Sequence, residues 1–80
     1  MKVLDLKENG AYWNFLFTGD KDFEANLNKF KCAIPLSHRR WDDPKRCWVV
    51  PIGPYDLNLA RLFENWDACV SIIRAQGKLW

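Results

Sequence analysis

Residues 2–6 alternate loosely between apolar and polar positions, and the first 17 residues together have the pattern of a β-hairpin. Asn9-Gly10 separates two apolar runs, and both residues tolerate the positive φ that a type I′ turn requires. On the second predicted strand, one face would carry three aromatic side chains, namely Trp13, Phe15 and Phe17. The other face is half polar, with Tyr12, Asn14 and Leu16. We expect the aromatic face to be core and the half-polar face to meet solvent or a ligand.

Residues 20–31 have the spacing of an amphipathic helix. Phe23, Leu27 and Phe30 recur at i, i+4 and i+7, and Asp20 stands where a helix cap is expected. Pro35 disfavours helical geometry in the residue before it. The pattern therefore predicts a helix that ends before Pro35 and a crossover to the next element.

Residues 39–51 predict a second hairpin. A short strand leads into a turn at Asp42-Asp43-Pro44, and a strand of aromatic and β-branched residues then runs to Pro51. Proline cannot donate a ladder hydrogen bond, so the strand should end there.

Residues 55–76 keep helical spacing throughout, and Gly77 follows as a candidate cap. The apolar positions are Leu59, Leu62, Phe63, Trp66, Cys69, Val70 and Ile73. An unbroken helix of this length would measure about 33 Å, which exceeds the width of so small a domain. We therefore expect either a break near residues 65–67, where Asp67 would cap a new helix, or a projecting end that docks on a partner.

The order of predicted elements is β-β-α-β-β-α, which indicates an α+β fold. Because hairpins pair antiparallel, the simplest arrangement is a sheet of about four strands with the helices on one face. The opposite face would stay open. The 80 residues are too few for two cores, so residues 1–80 should form one domain.

Composition agrees with a folded, water-soluble domain. Apolar residues make up 49% of the chain, and no run approaches the roughly 18 apolar residues of a membrane span. Three cysteines at irregular spacing predict reduced thiols in a cytoplasmic protein. We expect no metal site and no cofactor.

Positive charge is concentrated in the middle of the chain. The net charge is +2, yet residues 29–46 carry six basic side chains against Asp42 and Asp43. Basic side chains that alternate with aromatic ones suit a surface that neutralises phosphates and stacks on bases. The predicted nucleic-acid-binding residues are Lys29, Lys31, Arg39, Arg40, Trp41, Lys45, Arg46 and Trp48. Either tryptophan would serve equally well as a core residue, and the sequence does not decide between the two roles.

The segment from Phe30 to Pro51 resembles HARP-type domains. It carries Ala33-Ile34-Pro35, Arg39-Arg40-Trp41-Asp42 and Lys45-Arg46-Cys47-Trp48-Val49-Val50-Pro51. These β-β-α-β-β modules accompany annealing helicases and some phage recombination helicases. The resemblance implies a non-catalytic module that contacts single-stranded or branched DNA through the basic hairpin. No helicase motor follows here, so a helicase would be a partner at most.

Catalysis is not expected from the residue pattern. Asp43-x-Lys45 has the spacing of some metal-dependent nucleases, but Pro44 favours a turn and no second acid is placed nearby. His38 has no evident acid or base partner in the sequence.

The alternative function is protein binding, as in a small phage-type inhibitor of a host or rival enzyme. Its contact surface would be either the basic face or Trp66, Val70, Ile73 and Trp80. The protein itself would be a monomer or a weak dimer.

Overall fold

The computed structural model describes residues 1–18 and 23–76, which form four strands, three α-helices and one 3₁₀ turn. In chain order these are β1 (Lys2–Asn9), β2 (Tyr12–Thr18), α1 (Phe23–Ala33), the 3₁₀ turn (Leu36–His38), β3 (Arg40–Asp42), β4 (Cys47–Pro51), α2 (Asp56–Leu62) and α3 (Trp66–Gln76). The predicted helix start at Asp20 lies outside the described residues, as do Gly77 and Trp80.

The two hairpins join into a single antiparallel sheet in the order β1-β2-β4-β3. The inner strands β2 and β4 connect them, with Trp13 opposite Val50 and Phe15 opposite Trp48. The α+β class is therefore confirmed. The order of elements matches the prediction only roughly, because the C-terminal helix is divided in two, as one of the two predicted alternatives had it. The predicted capping role of Asp67 is wrong, since α3 begins at Trp66 and Asp67 lies in its first turn.

The turn of the first hairpin lies one residue later than predicted. Asn9 pairs with Tyr12 as the last step of the ladder, so the loop consists of Gly10 and Ala11. Of these two residues only Gly10 has a positive φ, at 62°. A type I′ turn needs positive φ at both central positions, and a type II′ turn needs it only at the first. The predicted type I′ turn at Asn9-Gly10 is therefore wrong.

The core forms on one face of the sheet, where the helices pack. The predicted inward face of β2 is confirmed, since Trp13, Phe15 and Phe17 are all buried. The full cluster comprises Val3, Trp13, Phe15, Phe17, Phe30, Ile34, Val50, Leu59, Phe63 and Trp66. Each helix contributes at least one of these side chains. In the described part of the chain, the opposite face of the sheet carries no helix.

The C-terminal helical region is interrupted between Leu62 and Trp66. The interruption is bonded to the start of the chain, because Glu64 N donates to Met1 O, just before β1, at 3.0 Å. The Asn65 side chain makes two hydrogen bonds to the backbone of Val3. Its Oδ1 accepts from Val3 N at 2.8 Å, and its Nδ2 donates to Val3 O at 2.9 Å. The side chain thus takes the place of a strand partner at the edge of β1. No described helix is long and apolar enough to cross a membrane.

Candidate nucleic-acid interface

The uncovered face of the sheet carries the outward side chains of all four strands. We call it the open face. The ladder places Lys7, Asn14, Val49 and Arg40 in one row across it, because directly paired residues of an antiparallel sheet point to the same side. Tyr12 pairs with Pro51 on the same face and is 46% exposed. The half-polar face predicted for β2 is therefore this surface.

Among the described residues, cations outnumber carboxylates on the open face and in the loop between β3 and β4. Lys7 and Arg40 point from the two edge strands, and Lys45 and Arg46 stand in the loop between β3 and β4. The described acids on this side of the sheet are Asp5, opposite Leu16, and Asp42, opposite Cys47. The loop also holds Asp43, whose carboxylate accepts from Trp41 Nε1 at 3.3 Å. All four cationic side chains are exposed, so they are free to approach a polyanion.

One end of the open face holds a depression of about 210 Å³, which we call the His38 depression. Its lining residues are Tyr12, Ser37, His38, Arg39, Arg40, Val49 and Pro51. The 3₁₀ turn forms one wall, where His38 Nδ1 lies 2.8 Å from Tyr55 Oη and 3.2 Å from Ser37 Oγ. These contacts hold the imidazole ring in a fixed orientation.

The other end of the open face holds a wider depression of about 470 Å³, which we call the Cys47 depression. Its lining residues are Asp5, Lys7, Asn14, Phe15, Leu16, Lys45, Arg46 and Cys47. Burial raises the pKa of the Cys47 thiol, and the nearby Asp42 carboxylate raises it further. The thiol therefore stays protonated at neutral pH, and it is not a reactive thiolate.

Two cations of this interface lie in a hairpin loop of defined shape. Asp42 Oδ1 accepts from Lys45 N at 3.3 Å, and Arg46 N donates to Asp43 O at 3.2 Å. Arg46 has a φ of 54°, in the left-handed region that favours glycine or asparagine. The sequence thus places an arginine where a glycine would be less strained.

The predicted site residues do not all meet on one surface. Arg39 donates from Nη1 to Ile34 O at 2.7 Å and to Lys31 O at 3.3 Å, so its guanidinium caps the end of α1. Lys29 and Lys31 are exposed on that helix, away from the open face. Of the predicted cations, Arg40, Lys45 and Arg46 project from the open face or its loop, whereas Arg39 lines the edge of the His38 depression and directs its guanidinium to α1.

The two predicted tryptophans lie on the helix-covered side. Trp48 packs on Phe30, with ring centroids 4.9 Å apart, so it belongs to the border of the core. The ring centroids of Trp41 and Trp48 are 5.4 Å apart, and Trp41 is 42% exposed. Because neighbouring strand residues point to opposite faces, Trp41 and Arg40 are separated by the sheet itself. The structure therefore does not bring Trp41 into the cationic surface.

The predicted protein-binding residues do not form an exposed stripe. Trp66 is only 2% exposed and belongs to the core, so its place in a docking surface is wrong. Val70 and Ile73 are half-buried against the same core, and Trp80 lies outside the described residues.

Three residues at the open face were not among the predicted site residues: Lys7, Tyr12 and His38. The alternation along β2 already placed Tyr12 on a ligand-facing side. Lys7 and His38 carried no such signal, because they reach the open face only through the pairing of β1 and the position of the 3₁₀ turn.

Asn14 has a buried Oδ1 without a hydrogen-bond partner. We expect Asn14→Val to raise the free energy of unfolding by about 1 kcal/mol, since it removes an unsatisfied acceptor and adds a residue that favours strands. Urea unfolding would measure this change. Lys7→Val, directly opposite on β1, controls for strand propensity and should change stability by less than about 0.5 kcal/mol. A destabilised Asn14→Val would show that the amide makes a favourable interaction.

Comparisons with protein-family models, with curated proteins and with solved structures found no match. The resemblance to HARP-type domains therefore stays a prediction. Among the described residues, no group of three or more histidine, cysteine, aspartate or glutamate side chains is placed to hold a metal ion.

Proposed function

We propose that the protein is a binding module for single-stranded nucleic acid and that the open face is its contact surface. The observation that carries this proposal is an exposed tyrosine, Tyr12, on an uncovered sheet face whose rim bears Lys7, Arg40, Lys45 and Arg46. The resemblance of residues 30–51 to HARP-type domains points to DNA as the ligand.

The cations supply attraction to the backbone. Lys7 and Arg40 lie at opposite edges of the sheet, and the loop with Lys45 and Arg46 lies at one end of the strands. A strand laid along the open face would pass between them. Neutralising phosphates releases counterions, so binding through these side chains must weaken as salt rises.

The tyrosine favours a single strand over a duplex. Bases stack on exposed aromatic rings with about 1–3 kcal/mol each, but only when they are not already stacked inside a double helix. Tyr12 offers such a ring on the open face. The left-handed Arg46 supports the same proposal, because strained backbone conformations cluster at binding sites.

Removing three cations from the interface should weaken binding and its salt dependence together. For Arg40→Ala/Lys45→Ala/Arg46→Ala we expect at least about tenfold lower affinity for a single strand of about 12 nucleotides. The slope of log affinity against log salt should fall by about 2, because each contact with a single strand contributes about 0.7. Fluorescence anisotropy at several salt concentrations, with single-stranded, duplex and forked DNA, measures both quantities.

The matched control is Lys29→Ala/Lys31→Ala/Arg61→Ala, which removes the same charge from exposed positions on α1 and α2. It should retain most of the affinity.

The single substitution Tyr12→Leu tests base stacking. It should reduce affinity for the single strand about tenfold and leave the salt slope unchanged. Equal losses in the two triple variants would contradict the proposed interface, because binding would then follow net charge alone.

A further inference from the structure

The two depressions of the open face differ in charge. Asp5 lines the Cys47 depression, whereas none of the described residues that line the His38 depression carries a carboxylate. The His38 depression instead combines two arginines with histidine, tyrosine and serine side chains over an apolar floor of Val49 and Pro51. Such a lining suits an anion that carries more than one negative charge.

One tautomer of His38 offers Nε2–H as a hydrogen-bond donor. Its Nδ1 accepts from Tyr55 when the tyrosine hydroxyl donates across the 2.8 Å contact, which leaves the ring proton on Nε2. Ser37 Oγ lies 3.2 Å from the same Nδ1. Within the described part of the chain Nε2 has no partner, so its N–H is available to a ligand. The tautomer with the proton on Nδ1 fits the same two contacts, since either hydroxyl can also accept, and an acceptor on a bound ligand would favour the Nε2–H form.

The arginines supply the charge. Arg39 lines the depression, but its Nη1 donates to the carbonyls at the end of α1, so its guanidinium is directed toward that helix. Arg40 is exposed, and no described residue binds its side chain. A phosphate monoester carries close to two negative charges at neutral pH, whereas a phosphodiester within a strand carries one.

The size and place of the depression fit the end of a strand. Its volume of about 210 Å³ is large enough for a phosphate group with part of a sugar. It lies where β3 begins and β4 ends, against the wall made by the 3₁₀ turn. A strand that follows the open face would reach this wall with its terminus.

We propose that the His38 depression binds a phosphate monoester, such as the terminal phosphate of a single strand held on the open face. This inference rests on the proposed function for its link to nucleic acid. Arg40 balances the charge, with Arg39 beside it at the edge of the depression, and His38 Nε2 donates a hydrogen bond. The same chemistry would accept a free mononucleotide, which the experiment separates from a strand end.

The test compares one oligonucleotide with a 5′-phosphate, a 3′-phosphate or hydroxyl groups at both ends, using the full chain and fluorescence anisotropy. We expect one phosphorylated form to bind about tenfold more tightly, which is the contribution of one charge-assisted hydrogen bond. His38→Ala and Arg40→Ala should each abolish this preference. Lys45→Ala, in the other depression's lining, should weaken all three forms equally and keep the preference.

A second arm titrates adenosine monophosphate and adenosine separately and follows the backbone amide signals of residues 37–40 by NMR. Shifts with the monophosphate alone support the depression as a phosphate site even when no oligonucleotide binds, an outcome that would overturn the proposed function only. Equal affinity for all oligonucleotide ends, with salt-dependent binding retained, would overturn the phosphate site and leave the proposed function standing. If no oligonucleotide binds and adenosine monophosphate causes no shifts, both the proposed function and the phosphate site are overturned.

Discussion

Phe15→Ala is expected to cost about 3–5 kcal/mol of unfolding free energy, the usual range for truncating a buried phenylalanine. Phe15 is 1% exposed, and its ring contacts four others, at centroid distances of 6.3 Å to Phe17, 5.7 Å to Phe30, 5.7 Å to Phe63 and 5.4 Å to Trp66. Phe17 lies on β2 and Phe30 on α1, whereas Phe63 lies between α2 and α3 and Trp66 begins α3. One substitution therefore loosens the contacts between the sheet and all three helices. An 80-residue domain has a free energy of unfolding of about 4–12 kcal/mol, so the variant should lose a large part of its stability or unfold.

Urea unfolding followed by tryptophan fluorescence measures this loss, because Trp66 packs directly on Phe15. Leu36→Ala is the control: Leu36 is 77% exposed in the 3₁₀ turn, and its truncation should change stability by less than about 0.5 kcal/mol. A loss below about 1 kcal/mol for Phe15→Ala would mean that the ring cluster repacks around the cavity.

The face of β2 that forms the core could be predicted from the sequence because the information is local. Strand side chains alternate with a period of two, so Trp13, Phe15 and Phe17 had to share a side. Their combined apolar area outweighs that of Tyr12, Asn14 and Leu16, which decides the side that is buried. The open face follows from the same alternation.

The orientation of the second hairpin could not be predicted, because it depends on contacts far apart in sequence. Alternation separates Trp48 and Val50 from Cys47 and Val49, but it does not say which pair faces the helices. The ladder with β2 decides this, since Phe15 lies opposite Trp48 and Phe30 packs on that tryptophan. A basic, aromatic segment therefore divides its cations and its tryptophans between two faces.

The hydrogen-bond partners of Arg39 and Asn65 could not be predicted from local sequence patterns for a similar reason. The Arg39 guanidinium meets the carbonyls of α1 only because the chain reverses after Pro35. Asn65 pairs with Val3, which is 62 residues away in the chain. The length of the helical region predicted a break near residues 65–67 as one of two alternatives, whereas the hydrogen-bond partner of Asn65 at this break belongs to the first strand.

Asp56→Ala is expected to cost about 2–4 kcal/mol, because one carboxylate oxygen serves two donors. Asp56 Oδ1 accepts from Trp13 Nε1 at 2.9 Å and from Gly53 N at 3.0 Å. Trp13 is buried, so its indole N–H would lose its acceptor at a place with little access to water. The loss therefore combines a hydrogen bond to a charged group with the desolvation of an unpaired donor.

Asp56→Asn separates these contributions. The amide keeps an oxygen that can accept from both donors but lacks the charge, and we expect it to cost about 1 kcal/mol. Urea unfolding gives the two free energies, and the indole N–H signal of Trp13 in NMR spectra reports the bond itself. That signal should shift strongly in Asp56→Ala and only slightly in Asp56→Asn. Equal costs for the two variants would show that the charge, rather than the acceptor, holds Trp13 and the turn at Gly53 together.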